Sequence, residues 1–176
     1  MLFDTQLSFL TGEHSFVHTT LAKQLALYVT MYSPLQMAAD LPESYERHLD
    51  AFQFIKDVAI DWDETRYLEA EPGYYLTIAR KAKGENNWFV GGITNENKRS
   101  TSVNLDFLDK DVTYVATLYA DGKDADYIDN PTSYQIKKGL VTVKSKIKVD
   151  MARSGGFAIS LFPATAQDKK ELKRLK

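Results

Sequence analysis

The spacing of apolar positions changes period near Asp61. Before it, apolar residues recur at helical intervals; from Ile60 onward they alternate at period two between turn signals. Thr19 or Thr20 can N-cap a helix over Leu21-Ala-Lys-Gln-Leu25-Ala-Leu27-Tyr28-Val29-Thr-Met31-Tyr32, where only Lys23 and Gln24 are strongly polar. A helix apolar nearly all round predicts burial on more than one side. Ser33-Pro34 predicts a short helix from Leu35 to Ala39, and Leu41-Pro42-Glu43 another to about His48. Asp50 is placed to cap a third, with Phe52, Ile55 and Val58 at helical spacing and Phe54 beside them.

The second half reads as short strands. Thr101, Val103, Leu105 and Phe107 alternate with Ser102, Asn104 and Asp106, which predicts one buried and one wet face. Further strands are expected at 62–69, 74–80, 88–93, 113–119, 134–137, 140–143, 146–149 and 156–162. Turn chemistry separates them at Pro72-Gly73, Gly84 to Asn87, Asn95 to Asn97, Asp109 to Asp111, Asp121-Gly122, Lys138-Gly139 and Ser154-Gly155. The fold class is α+β: a short helical segment, residues 1–59, followed by an antiparallel all-β sandwich, residues 60–163, with Val103, Leu105, Phe107, Ile147, Val149, Ile159 and Leu161 in its core. Residues 164–176, rich in lysine, read as a basic tail, frayed or disordered.

Composition narrows the function classes. A net charge of -2 over 176 residues argues against a nucleic-acid binder, which needs a basic face to neutralise phosphates. The absence of cysteine excludes a disulfide framework, a thiolate metal site and a cysteine nucleophile. Met1-Leu2-Phe3-Asp4 has no basic leader and no apolar run of signal length follows it, so no export signal is expected in this chain. Gly-x-Ser-x-Gly, Walker and dinucleotide fingerprints do not occur.

Four groups could carry chemistry. Asp61, Asp63 and Glu64 around Trp62 contain the carboxylate pair that glycosidic acid/base catalysis needs, but on a strand Asp61 and Asp63 share a face that Glu64 does not, which favours a structural junction. Asp121, Asp124, Asp126 and Asp129 could supply oxygens to Ca²⁺; their spacing is not that of an EF-hand, and a solvated loop is the simpler reading. His14 and His18 have helical zinc spacing without a third ligand. Trp88, Tyr74, Tyr75 and Tyr127 could stack on sugar rings, although Trp88-Phe89-Val90 has the look of a core strand.

Several blocks, in order, resemble glycoside hydrolase family 97. Leu25-Ala-Leu27-Tyr28-Val29, Tyr32-Ser-Pro-Leu-Gln-Met-Ala-Ala-Asp40, Phe54-Ile-Lys-Asp-Val58 and Trp62-Asp-Glu-Thr65 are similar to the end of that family's catalytic (β/α)8 TIM barrel. Gly73-Tyr-Tyr-Leu-Thr-Ile-Ala-Arg80, Asn87-Trp-Phe-Val-Gly-Gly-Ile-Thr94, Leu118-Tyr-Ala-Asp-Gly122 and Gly155-Gly-Phe-Ala-Ile159 are similar to its C-terminal β-sandwich. The resemblance implies the C-terminal portion of an α-glucosidase or α-galactosidase, inactive alone, bracing the barrel or making homo-oligomer contacts. It implies a calcium ion whose ligands, like the catalytic carboxylates, lie outside this chain, so no catalytic, cofactor or metal residue is expected within it. It also implies a periplasmic or cell-surface location for the full-length enzyme. The alternative is a stand-alone carbohydrate-binding or interaction module that uses surface aromatics.

Overall fold

A computed structural model describes residues 17–38 and 40–175. The elements are α1 (Leu21–Thr30), α2 (Pro42–Glu46), α3 (Leu49–Asp57), β1 (Trp62–Glu71), β2 (Tyr75–Ala82), β3 (Trp88–Thr94), β4 (Arg99–Asn104), β5 (Tyr114–Asp121), β6 (Tyr134–Val141), β7 (Lys146–Met151), β8 (Gly156–Pro163) and α4 (Asp168–Glu171). Six strands form one antiparallel sheet in the order β1-β2-β3-β8-β5-β6, and β4 pairs with β7 in a second.

The large sheet is covered on both faces. On one side Val103, Leu105, Phe107, Ile147 and Val149 close a core with Trp88, Val90, Leu118, Phe157, Ile159 and Leu161. All seven expected core residues are buried there. β4 ends at Asn104, and Leu105 and Phe107 reach the core from the turn that follows. On the other side Leu21, Leu25 and Val29 of α1 and Ala51, Phe54 and Val58 around α3 pack on Ala82, Phe89, Tyr119 and Ala158. Packing is therefore continuous across residues 59 and 60.

The approach of α1 to the sheet depends on missing side chains. A Cβ on Gly91 would lie 2.7 Å from the Ala26 carbonyl oxygen and 2.9 Å from the Val29 Cβ; one on Gly156 would lie 2.9 Å from the Lys23 Cα. Glycine at these positions lets helix backbone lie directly on strands β3 and β8.

The helical segment departs from the pattern in two places. Residues 35–38 form no helix, because the Ser33 hydroxyl accepts from the Leu35 N–H and donates to the Leu35 carbonyl, closing a local turn; Ala39 lies outside the described residues. Helix α3 starts at Leu49 with His48 in the cap position, and Asp50 sits in its first turn, accepting from the Ala51 N–H. Its buried stripe is Ala51, Phe54 and Val58, while Phe52 turns aside to stack on Tyr45. Thr20 does cap α1, its hydroxyl accepting from the Lys23 N–H at 3.2 Å.

Two corrections concern the far edge of the sheet. Lys138-Gly139 is no turn: β6 runs unbroken from Tyr134 to Val141, paired with β5 throughout. The tail is ordered as well. After α4, whose entry carries reciprocal Thr165–Asp168 hydrogen bonds, Arg174 makes a parallel bridge to Leu140. The Leu140 N–H donates to the Lys173 carbonyl at 2.8 Å and the Leu175 N–H to the Leu140 carbonyl at 3.0 Å. Gly139 permits this, since a Cβ there would meet backbone at 2.8 Å. A main chain that satisfies an open strand edge has a reason to be fixed whatever its side chains.

Candidate functional site

The predicted catalytic cluster does not converge. Asp61 pairs with Lys83 at 2.7 Å, the Asp63 carboxylate accepts from the Gly84 N–H at 2.8 Å, and Glu64 pairs with Arg66 at 2.6 Å. Trp62 stacks edge-on against Phe89 and lies 5.8 Å from the Arg80 guanidinium. Lysine lowers the Asp61 pKa, the reverse of what a proton donor requires. These residues join helical layer to sheet.

The aspartate loop is likewise dispersed. Asp124 accepts from Ser133 and Asn130, and Asp126 forms a two-point pair with Arg153 at 2.8 and 3.1 Å that holds its pKa at about 2. Asp121 is not in a solvated loop: it ends β5, 2% exposed, and its Oδ2 accepts from the Ala152 and Gly156 N–H groups at 2.8 and 3.0 Å. Among the described residues no three His, Asp or Glu side chains are grouped to hold a metal ion, so these residues do not fit a calcium site. His18 sits 6.4 Å from the Tyr127 ring; His14 lies outside the described residues. Trp88 is in the core against Phe107, Tyr75 lies beneath the Arg99 guanidinium at 3.4 Å, and Tyr127 faces Arg153 at 5.2 Å. Tyr74 is exposed at the β1–β2 turn, over a shallow groove lined by Leu76, Ile93 and Lys23.

The structure instead builds an interaction surface. Helix α1 is pinned at both ends. At its start the Leu21 N–H donates to the Pro131 carbonyl and the Thr20 N–H to the Ser154 carbonyl, using amides that a first turn leaves without partners. Lys23 reaches the Thr94 carbonyl at 2.7 Å. Burial raises the Asp121 pKa, against the Thr20 hydroxyl, the Ala152 and Gly156 amides and Lys23, all of which lower it; Oδ1 is buried without a well-formed hydrogen bond. At the other end Arg80 Nε donates to the Val29 carbonyl at 2.7 Å and its Nη1 to the Thr65 hydroxyl at 3.0 Å. The sequence places Asp121 in a solvated loop and gives Arg80 no role, although a charged residue inside an otherwise apolar strand was the available signal.

With α1 held, its outer face is fixed in place. Leu27, Tyr28, Met31, Tyr32, Met37 and Tyr45 line a groove of about 310 Å³. Of the large hydrophobic side chains exposed among the described residues, most lie in this layer: Met31, Tyr32, Leu35, Met37, Leu41 and Leu49, with Leu35 74% and Met37 72% exposed. Met31, Tyr32 and Met37 of these border the groove.

Residues 61–162 match the glycosyl-hydrolase 97 C-terminal, oligomerisation family, and the chain belongs to that family. It is 40% identical over 142 residues to a retaining alpha-galactosidase of Bacteroides thetaiotaomicron, covering 81% of this chain and 21% of the relative. A probable retaining alpha-galactosidase of Streptomyces bingchenggensis is 38% identical over 71 residues, covering 40% of this chain and 11% of the relative. A glycoside hydrolase family 97 enzyme from Pseudoalteromonas sp. strain K8, solved in complex with acarbose, superposes with a TM-score of 0.83 at 44% identity, over 85% of this chain and 23% of that one. The chain thus spans about a fifth of the first relatives' length, and it is the C-terminal part of a family 97 glycosidase. Both 142-residue and 85% matches exceed the 102 residues of the family match, so they take in part of the helical layer.

Proposed function

We propose that this chain serves an α-glycosidase acting on α-galactosidic or α-glucosidic bonds as the platform on which the catalytic portion sits and through which copies of the enzyme associate. The carrying observation is the run of exposed apolar side chains on the segment after α1, Met31, Tyr32, Leu35, Met37 and Leu41. It lies in the part of the chain that precedes the family's C-terminal region, where the preceding catalytic portion would meet it. In this reading the sandwich supplies no reacting group: every carboxylate of the Trp62 cluster is committed to a partner of its own. The calcium implied by the resemblance belongs to the part of the enzyme outside this chain, as do the acid and the nucleophile. Among the described residues no helix is long and apolar enough to cross a membrane, and the enzyme is placed in the periplasm or at the cell surface on the family resemblance.

The test is turnover of aryl α-galactosides and α-glucosides by the purified chain. None is expected. Turnover abolished by Asp63→Asn or Glu64→Gln would place a catalytic pair at Trp62 and overturn the platform reading.

A further inference from the structure

The two edges of the six-stranded sheet are treated differently. At β6 the edge is closed by residues 173–175, as described above. At β1 none of the described residues adds a further strand, and alternate N–H and C=O groups point outward along it. The pairing of the strand with β2 is interrupted by two irregularities, one between Trp62 and Glu64 and one between Tyr67 and Glu69, after which it resumes to Glu71. Between them Glu64, Thr65, Arg66 and Tyr67 keep unbroken register opposite Lys81, Arg80, Ala79 and Ile78. Glu64 and Arg66 flank Thr65 on the same face of the strand, with side chains 41% and 50% exposed.

We infer that this four-residue stretch of β1 pairs antiparallel with the same stretch of a second copy of the chain, about a two-fold axis through Thr65. The inference rests on the oligomer-forming part of the proposed function and names the surface used. Its register follows from geometry. Residues opposed in an antiparallel pair share a face, so an axis normal to the sheet must pass through a residue and not between two. Centred on Glu64 or Arg66, the axis would set like charges opposite each other. Centred on Thr65, it sets each Arg66 opposite the second copy's Glu64, the arrangement that stabilises cross-strand pairs. Each guanidinium then lies between two carboxylates. Because such an axis preserves the faces of the sheet, the helical layers of both copies lie on the same side, and both apolar outer faces remain open to catalytic portions.

The experiment uses the full chain and its charge variants in sedimentation equilibrium. The wild type is expected to dimerise reversibly, more weakly as salt is raised. Arg66→Glu places two carboxylates on each edge and Glu64→Arg two guanidinium groups, so each variant alone should dimerise at least about tenfold more weakly. An equimolar mixture of the two should recover the dimer, because the edges are then complementary. Amide exchange at residues 64–67 of the wild type, slowing as protein concentration rises, gives the same answer without substitution. A wild-type dimer indifferent to both variants, with no slowing at 64–67, overturns the β1 edge and leaves association to another face. A wild type monomeric throughout overturns the edge and the oligomer reading together.

Discussion

The two layers that cover the large sheet each bury an apolar core but present opposite outer surfaces. Over one face, β4 and β7 turn Ser100, Ser102, Asn104, Lys146, Lys148 and Asp150 to water, alternating strictly with Val103, Ile147, Val149 and Met151. Over the other, the segment between α1 and α2 turns out Met31, Tyr32, Leu35, Met37 and Leu41, and α3 turns out Leu49 at its start. A layer with a polar exterior needs nothing more to be soluble; one with an apolar exterior is half of an interface. The difference teaches that burial beneath a layer and completion of that layer are separate matters, and that the sandwich side is finished where the helical side is not.

The sharpest way to break this comparison is to cut equally into both cores. Phe89 under the helices and Phe157 under the two-stranded sheet are 1% and 0% exposed. Replacing either by alanine is expected to cost about 3–5 kcal/mol in urea denaturation, through lost burial plus a cavity. A cost at Phe89 far below that at Phe157 would mean that the helices do not dock on the sheet in solution. Within the finished layer, Leu105→Ala is expected to cost about 2–5 kcal/mol and its neighbour Asn104→Ala no more than about 0.5 kcal/mol. Equal costs would contradict the burial of Leu105 beside an exposed Asn104. Gly91→Ala tests the seat of α1: with Ala26 and Val29 so near, a methyl group forces the helix outward at about 1–3 kcal/mol, and amide protection over Leu21–Thr30 should fall before that of β5.

How much of this was legible in the sequence depended on whether a residue's partner was near in the chain. The cap at Thr20 and the alternation of β4 are set by neighbours a few positions away, and both were read correctly. Gly139 looked like a turn because its use is distant: it admits the backbone of Lys173 to Leu175. Leu35 to Ala39 reads as helical because proline at a first helical position outweighs the hydroxyl of Ser33, which closes a turn at Leu35 instead. The apolar circumference of α1 predicted burial on more than one side, and the sheet supplies one of those sides. Asp121 reads as a loop residue in the sequence, since its burial depends on the far ends of β5, β7 and β8 meeting α1.

The outer surfaces themselves are tested by adding charge. Leu35→Glu and Met37→Glu lie on exposed sites and should alter unfolding free energy by no more than about 0.5 kcal/mol while reducing non-specific self-association of the chain, measured by light scattering. Ser102→Glu, on the polar layer, should change neither. Equal reductions on both sides would remove the distinction on which the platform reading stands.

The smallest expected effect separates the two layers by pH. Asp121, where the sheet meets the start of α1, has its pKa raised by burial above the ordinary 3.8, whereas Arg153 holds Asp126 at about 2. A raised carboxyl contributes stability that is full below 3.8 and is lost as pH rises through its folded value; a depressed one contributes stability that is full above 3.8 and is lost as pH falls through about 2. Acidifying from neutrality should therefore first tighten the junction beneath α1, and only below 3.8 loosen the Asp126 loop. Asn in place of Asp121 can still accept from both backbone amides through its carbonyl oxygen, so Asp121→Asn should erase the first slope while the protein remains folded. Arg153→Ala should diminish the second. Thermal midpoints followed from pH 7 downward decide the matter: a wild-type midpoint that falls monotonically, with Asp121→Asn parallel to it, would show that the carboxylate beneath α1 is charged at no cost and that the helical layer is open to water there.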